Sequence, residues 1–279
     1  MTENSIEMLQ AGMENSLLCC GLDPDLTKFP NEPSYEGLTN KRKIINFLES
    51  VIDVTADNVC AYKIQKAFFD RFRFGHDALK ETISYIHNNH RGIPAIVDCK
   101  IGDIDNTMQT YLDNLFNELH ADGIVVNPYM GDDVMKPMER YPDKAIVVLA
   151  KTSNSGGGIV QDVITKDGIP MWQHVLRLTI ERWNKSGNMI PVISSTVGLD
   201  MSNVRKIIPD QMPILLAGVG AQGGSYEDIY KLLNSKRSGV FVNSSRGIIY
   251  AKPTDNQTWK DAIAEASFIL KDSLNEKRQ

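Results

Sequence analysis

The sequence predicts an α/β fold of the (β/α)8 kind, a TIM barrel, on two observations. Short apolar runs alternate with amphipathic segments along the chain, eight times over. The 279 residues suit one such barrel, 1–279, with no linker or low-complexity tract to divide it into domains. A doubly wound open sheet shares the same local alternation. The count of eight and the missing linker favour the closed form.

Residues 16–22 form strand one, ending at Asp23, and a Pro-rich loop through Pro30 and Pro33 follows. The helix over 41–59 places Ile44, Ile45, Leu48, Val51 and Ile52 on one side. Strand two is 60–65, and its helix is 76–90, with Leu79, Ile83 and Ile86 spaced for one face. Strand three, 93–100, is an apolar run that ends in charge, and 106–121 is its helix. Strand four is 123–128, with a short helix near 132–140. Strand five is 145–150, then a Gly-rich loop and a helix over 171–185. Strand six is 189–194 with a helix around 201–208, and strand seven is 213–217 with a helix over 226–234. Strand eight is 239–243, and 256–274 closes the chain.

Composition excludes several classes. At 42% hydrophobic and 23% charged residues there is material for a sizeable core. A net charge of -5 without a basic block leaves no electrostatic footprint for nucleic acid. No apolar run reaches the roughly 18 residues of a membrane span. Residues 1–7 carry acid rather than a basic then apolar region, so they do not read as a signal peptide. Cys19, Cys20, Cys60 and Cys99 stand in apolar segments without C-x-x-C spacing, as expected of buried thiols in a reduced, cytoplasmic protein. His76, His87, His90, His120 and His174 show no ligand spacing, so no metal site is expected.

In barrels of this kind the chemistry lies at the C-terminal strand ends. Asp23 stands there on strand one, Lys63 on strand two, and Asp98 and Lys100 on strand three. Alternation along a strand puts Asp98 and Lys100 on one face and Cys99 on the other. Asp103 and Thr107 lie in the turn and helix beyond. The bland reading of D-x-K-x-x-D is a salt bridge capping a strand; the charges gathered on neighbouring strands argue for a shared site. Lys151-Thr152-Ser153-Asn154 ends strand five, and the long segment 153–170, with Gly156-Gly157-Gly158, is either a lid or a plain insertion.

The stretch 218–224 after strand seven reads G-x-G-x-x-G, but no acidic residue follows about 20 positions on, so the dinucleotide reading fails. Loops after strands seven and eight are instead the usual phosphate site of a barrel. Gly220 and Gly247 let backbone N–H groups approach an anion, Gln222 adds a donor, and Arg246 adds a planar fork.

With these residues assembled, the chain resembles the orotidine 5′-phosphate decarboxylase family over nearly its whole length. The central match is 98–107, D-x-K-x-x-D-I-x-x-T in full. Supporting it are Gly21-Leu22-Asp23, Tyr62-Lys63, the glycines of 218–224, and Asn243-Ser244-Ser245-Arg246-Gly247, all in family order. The loop over 24–40 and the Lys-Thr-Ser-Asn segment are similar to the branch with a longer first loop. The glycine run 156–158 departs from it.

The resemblance implies conversion of orotidine 5′-phosphate to uridine 5′-phosphate and CO2, with no metal or organic cofactor. Lys100 is the implied proton donor, within a charge array of Asp98, Asp103 and Lys63. Asp23 and Lys63 are implied on the ribose, with Gln65 a weaker carry-over, and Ser153 on the pyrimidine, with Thr152 and Asn154 as competitors. The resemblance further implies a homodimer in which Asp103 and Thr107 reach into the partner's site; the sequence itself is expected to leave no room for a fused orotate phosphoribosyltransferase domain. A related family of Mg²⁺-dependent keto-sugar-phosphate decarboxylases and synthases shares D-x-K-x-x-D, but it carries a glutamate near the end of strand two, where this chain has Lys63-Ile64-Gln65. A non-catalytic phosphate-binding barrel is the remaining alternative.

Overall fold

The computed structural model describes residues 4–196, 198–219 and 224–278. Eight parallel strands close in sequence order: β1 (Leu18–Leu22), β2 (Ala61–Gln65), β3 (Ala95–Ile101), β4 (Gly123–Val126), β5 (Ala145–Leu149), β6 (Met189–Ser194), β7 (Ile214–Ala217) and β8 (Val240–Ser244). The seam is the β1–β8 pair, with Leu18 opposite Val242 and Cys20 opposite Ser244. This is the barrel that the alternation predicts, and its closure rules out the open sheet.

Both faces of each strand are buried, so the strands read as continuous apolar runs. Parity separates two cores. Cys19, Ala61, Ile96, Val125, Val147, Ile190, Leu215 and Phe241 point into the barrel and pack together. Cys20, Tyr62, Val97, Ile124, Ile146, Ile193, Leu216 and Val242 face the helical layer.

A helix that the alternation does not announce, α1 (Ser5–Asn15), precedes the first strand. Asn4 caps it by accepting from the Ile6 and Glu7 N–H groups. Its Ile6, Leu9 and Met13 join the interior core and plug the barrel floor. Gly12 is required there, because a Cβ would lie 2.8 Å from the Cys60 carbonyl oxygen.

The outer layer comprises α2 (Asn40–Thr55), α3 (Ala67–Asp70), α4 (Gly75–Asn89), α5 (Asp105–Leu112), α6 (Asp132–Met135), α7 (Gly158–Gln161), α8 (Met171–Leu178), α9 (Met201–Ile207), α10 (Glu227–Leu232), α11 (Arg246–Ile249) and α12 (Trp259–Asn275). Four predicted helices differ from expectation. The segment 41–59 leaves the α-helix at Thr55 and turns into a 3-10 turn, Ala56–Asn58. The segments 106–121 and 171–185 each widen into a π-turn, Asp113–Glu118 and Thr179–Trp183. Leu115, Phe116 and Leu119 are all buried, continuing the face begun by Met108 and Leu112, so the apolar spacing reads as a regular helix and does not announce the wider turn. The last helix starts later than the periodicity suggests, at Trp259, where Thr258 and Asp261 form a capping box.

Candidate active site

The β3 strand end is where the backbone departs from ideal geometry. Lys100 has φ 46°, a left-handed conformation uncommon outside glycine. The β3–β4 register shifts between Val97 and Ile101, and pairing resumes as Ile101 opposite Val126. Asp98 and Lys100 do meet, as alternation predicts, but the irregular backbone at Lys100 contributes to that placement. Gly102 follows because the chain there runs hard against β4. A Cβ on it would lie 2.3 Å from the Asn127 carbonyl oxygen.

Asp98 is the hub. Lys63 Nζ donates to its Oδ2 at 2.9 Å, and Lys100 Nζ donates to Oδ1 and Oδ2 at 2.7 and 2.8 Å. The side chains of Lys63 and Asp98 are 10% and 7% exposed, whereas that of Lys100 is 48% exposed. Burial pushes the Asp98 carboxyl up, but the Lys63 and Lys100 charges outweigh it and hold it below the ordinary carboxylate value. Burial likewise opposes the Lys63 ammonium; Asp98, and behind it Asp23, more than compensate, and its pKa ends raised. Asp98 and Lys63 are therefore both charged at neutral pH.

These side chains border a cavity of about 210 Å³ at the C-terminal mouth of the barrel, walled by Val125, Leu149, Val192, Leu215, Ala217 and Gly218. Thr152 and Ser153 line it from β5. Ser153 is fixed from two sides: Thr196 Oγ1 donates to its carbonyl at 3.1 Å, and Gly218 leaves room for its Cβ. Asp23, just past β1, has a buried Oδ1 that makes no hydrogen bond among the described residues.

Other expected residues lie elsewhere. Asp103 does not reach Lys100 within the chain: no ion pair joins them among the described residues, and its Oδ1 accepts from the Ile104 N–H at 2.8 Å. Thr107 is exposed on the first turn of α5. Gln65, the last residue of β2, borders a separate cavity of about 580 Å³ with Lys66, Cys99 and Tyr111, not the mouth. Arg246 and Gly247 are exposed at the start of α11. Gly220 and Gln222 lie outside the described residues.

Asn243 lines the mouth beside Lys63, Asp98 and Lys100, yet it was not among the expected site residues. Its Oδ1 is buried without a partner among the described residues, as is the nearby Ser245 Oγ. Both crowd Gly21, whose Cβ would lie 2.6 Å from Ser245 Cβ and 3.3 Å from Asn243 Oδ1. A polar residue at an inward parity position of an apolar strand was the available signal. A larger cavity, about 520 Å³, opens on the opposite face near Gln10 and Lys236, away from this charge cluster. Size does not make it the site; the convergence of charged groups marks the mouth. Among the described residues no group of three or more His, Cys, Asp or Glu side chains is placed to hold a metal ion. The arrangement presents a fixed ammonium, a buried carboxylate and unpartnered acceptors to a polar ligand.

Comparison with known proteins gives a consistent result. A family model described as orotidine 5′-phosphate decarboxylase / HUMPS family matches residues 16–262. The orotidine 5′-phosphate decarboxylase of Cupriavidus necator is 44% identical over 238 residues, covering 85% of each chain. The solved OMP decarboxylase of Leishmania donovani superposes with a TM-score of 0.83 at 30% identity, over 99% of this chain and 98% of that one. The UMP synthase of the same organism superposes at 0.85 with 32% identity; this chain spans 57% of its length.

Proposed function

This chain belongs to the orotidine 5′-phosphate decarboxylase / HUMPS family, and from that premise we propose that it is the decarboxylase itself, a carbon–carbon lyase of pyrimidine nucleotide synthesis. The observation that carries the reading is the Lys63–Asp98–Lys100 array at the barrel mouth. Orotidine 5′-phosphate loses CO2 from C6: the C6–carboxylate bond breaks, its electron pair stays on C6, and Lys100 delivers a proton there to give uridine 5′-phosphate. An ammonium placed in advance beside a developing carbanion is the kind of electrostatic preorganisation that is usually the largest catalytic term. Asp98 stands near the departing carboxylate and orients Lys100.

In this reading Asp23 and Lys63 take the ribose hydroxyls, Asn243 adds an acceptor beside them, and Ser153 takes the pyrimidine. Arg246, with Gly220, Gln222 and Gly247, takes the phosphate. Enzymes supply roughly 8–23 kcal/mol of transition-state stabilisation. One lysine does not reach that, so binding energy from the remote phosphate orders the charges. Gln65, on the neighbouring cavity, is left without a role in this scheme.

Asp103 and Thr107 act in the site of a second copy. The lack of an ion pair for Asp103 among the described residues supports this, as do the exposed apolar side chains Ile104, Tyr111, Tyr129 and Met130. The four free cysteines suit a cytoplasmic setting, and a single domain over 1–279 carries the activity without metal or organic cofactor. No helix among the described residues is long and apolar enough to cross a membrane.

The test is a direct assay following loss of orotate-ring absorbance, with and without EDTA. Turnover in both supports the reading. Turnover only with Mg²⁺ revives a keto-sugar-phosphate enzyme. Binding of the nucleotide without turnover points to a silent phosphate-binding barrel.

A further inference from the structure

A buried cation beside the mouth is not used by the decarboxylation scheme. Lys151 lies two residues past the end of β5; its side chain is 2% exposed, and Nζ meets Asp162 Oδ1 at 2.5 Å. Asp162, at the C-terminal end of α7, is itself 55% exposed. Beside this pair Gln161 Nε2 donates to Thr152 Oγ1 at 2.7 Å, and Gln161 Oε1 accepts from the Thr152 N–H at 3.1 Å. The short helix is thus fastened to the two residues that precede Ser153.

The glycine run is explained by the same contacts. A Cβ on Gly158 would lie 2.7 Å from Asp162 Oδ2. One on Gly157 would lie 3.1 Å from Thr152 Oγ1 and 3.2 Å from Gln161 Oε1, while Gly156 has open space around it. Two of the three glycines therefore stand where a side chain would press on the fastening.

We propose that Lys151 and Asp162, with Gln161 and the space left by Gly157 and Gly158, form a catch that sets the Thr152–Ser153 wall of the mouth, making both members of the ion pair positioning residues for the base end of the substrate. The inference rests on the decarboxylase reading. Its physical basis is that a buried ammonium holds its place while its carboxylate is present. Remove the carboxylate and the lysine must leave its site or draw the strand end with it.

The test pairs amide hydrogen exchange with kinetics on the full chain. Asp162→Asn speeds exchange across 151–162 by about tenfold and lowers kcat/KM by at least about tenfold, with the folded circular-dichroism signature retained. Asp162→Glu regains most of both. Gly158→Ala gives a smaller loss of the same kind, and the double variant Gly158→Ala/Asp162→Asn is no worse than Asp162→Asn alone, because both act on one contact. Unchanged exchange in Asp162→Asn, or additive losses in the double variant, overturns the catch. Faster exchange with wild-type kinetics overturns the positioning role. Wild-type protein that fails to decarboxylate would sink the parent reading instead, and the exchange data would still judge the catch.

Discussion

At the scale of single residues, Asp98 carries the heaviest electrostatic duty. Its folded pKa lies below the unfolded value of about 3.9, so its contribution to stability is whole above that pH and is lost as pH falls through the depressed value. Lys63 is raised, so its contribution is whole below about pH 10.4 and is lost as pH climbs through the raised value. Asp98→Asn strands a lysine whose side chain is 10% exposed. We expect a cost of roughly 3–5 kcal/mol in urea unfolding at pH 7, narrowing below about pH 4 as the wild type loses the same charge. A gap under about 1 kcal/mol at pH 7 would remove Asp98 from the hub. Lys100→Ala should abolish turnover while leaving the fold intact, since its side chain is half exposed; activity retained in that variant ends the proton-donor assignment. Arg246→Ala should weaken orotidine 5′-phosphate far more than the phosphate-free nucleoside, and equal losses on the two would count against the phosphate role. Asp98, Lys100 and Lys63 were legible in the sequence because charge at a buried strand end needs a reason. Asn243 was not, since an uncharged amide at such a position is cheap to explain as a turn residue. Nor was Lys151, whose partner lies 11 residues away across a loop.

At the scale of elements, the strands follow the apolar runs closely because both of their faces are buried. Helix ends were less legible: the π-turns after α5 and α8 insert extra residues that the sequence period conceals. The floor helix α1 carries Ile6, Leu9 and Met13 at helical spacing, but nothing in a strand–helix count calls for an element before the first strand. The β3–β4 junction shows tertiary contact deciding a residue type. Gly102→Ala forces a Cβ against the Asn127 carbonyl. A loss of about 1–3 kcal/mol in urea unfolding is expected from that overpacking. If stability is unchanged, the β3 end is softer than its contacts indicate.

At the scale of the whole molecule, the shared-site reading has a mixing test. In a hybrid of Lys100→Ala and Asp103→Ala chains, one site receives both lesions and the other receives neither. Random pairing should restore about one quarter of wild-type activity from two inactive parents. No recovery on mixing, in chains shown to exchange, would make each site self-contained. The seam of the barrel has a further consequence, for the order of synthesis. The Lys63–Asp98–Lys100 array is complete once β3 has formed, but β1 remains an open edge until β8 pairs with it. A ribosome must therefore release the chain beyond Ser244 before that edge is covered. Until then the nascent protein carries these three charges on an unclosed sheet, and chaperone protection during translation should persist until β8 emerges.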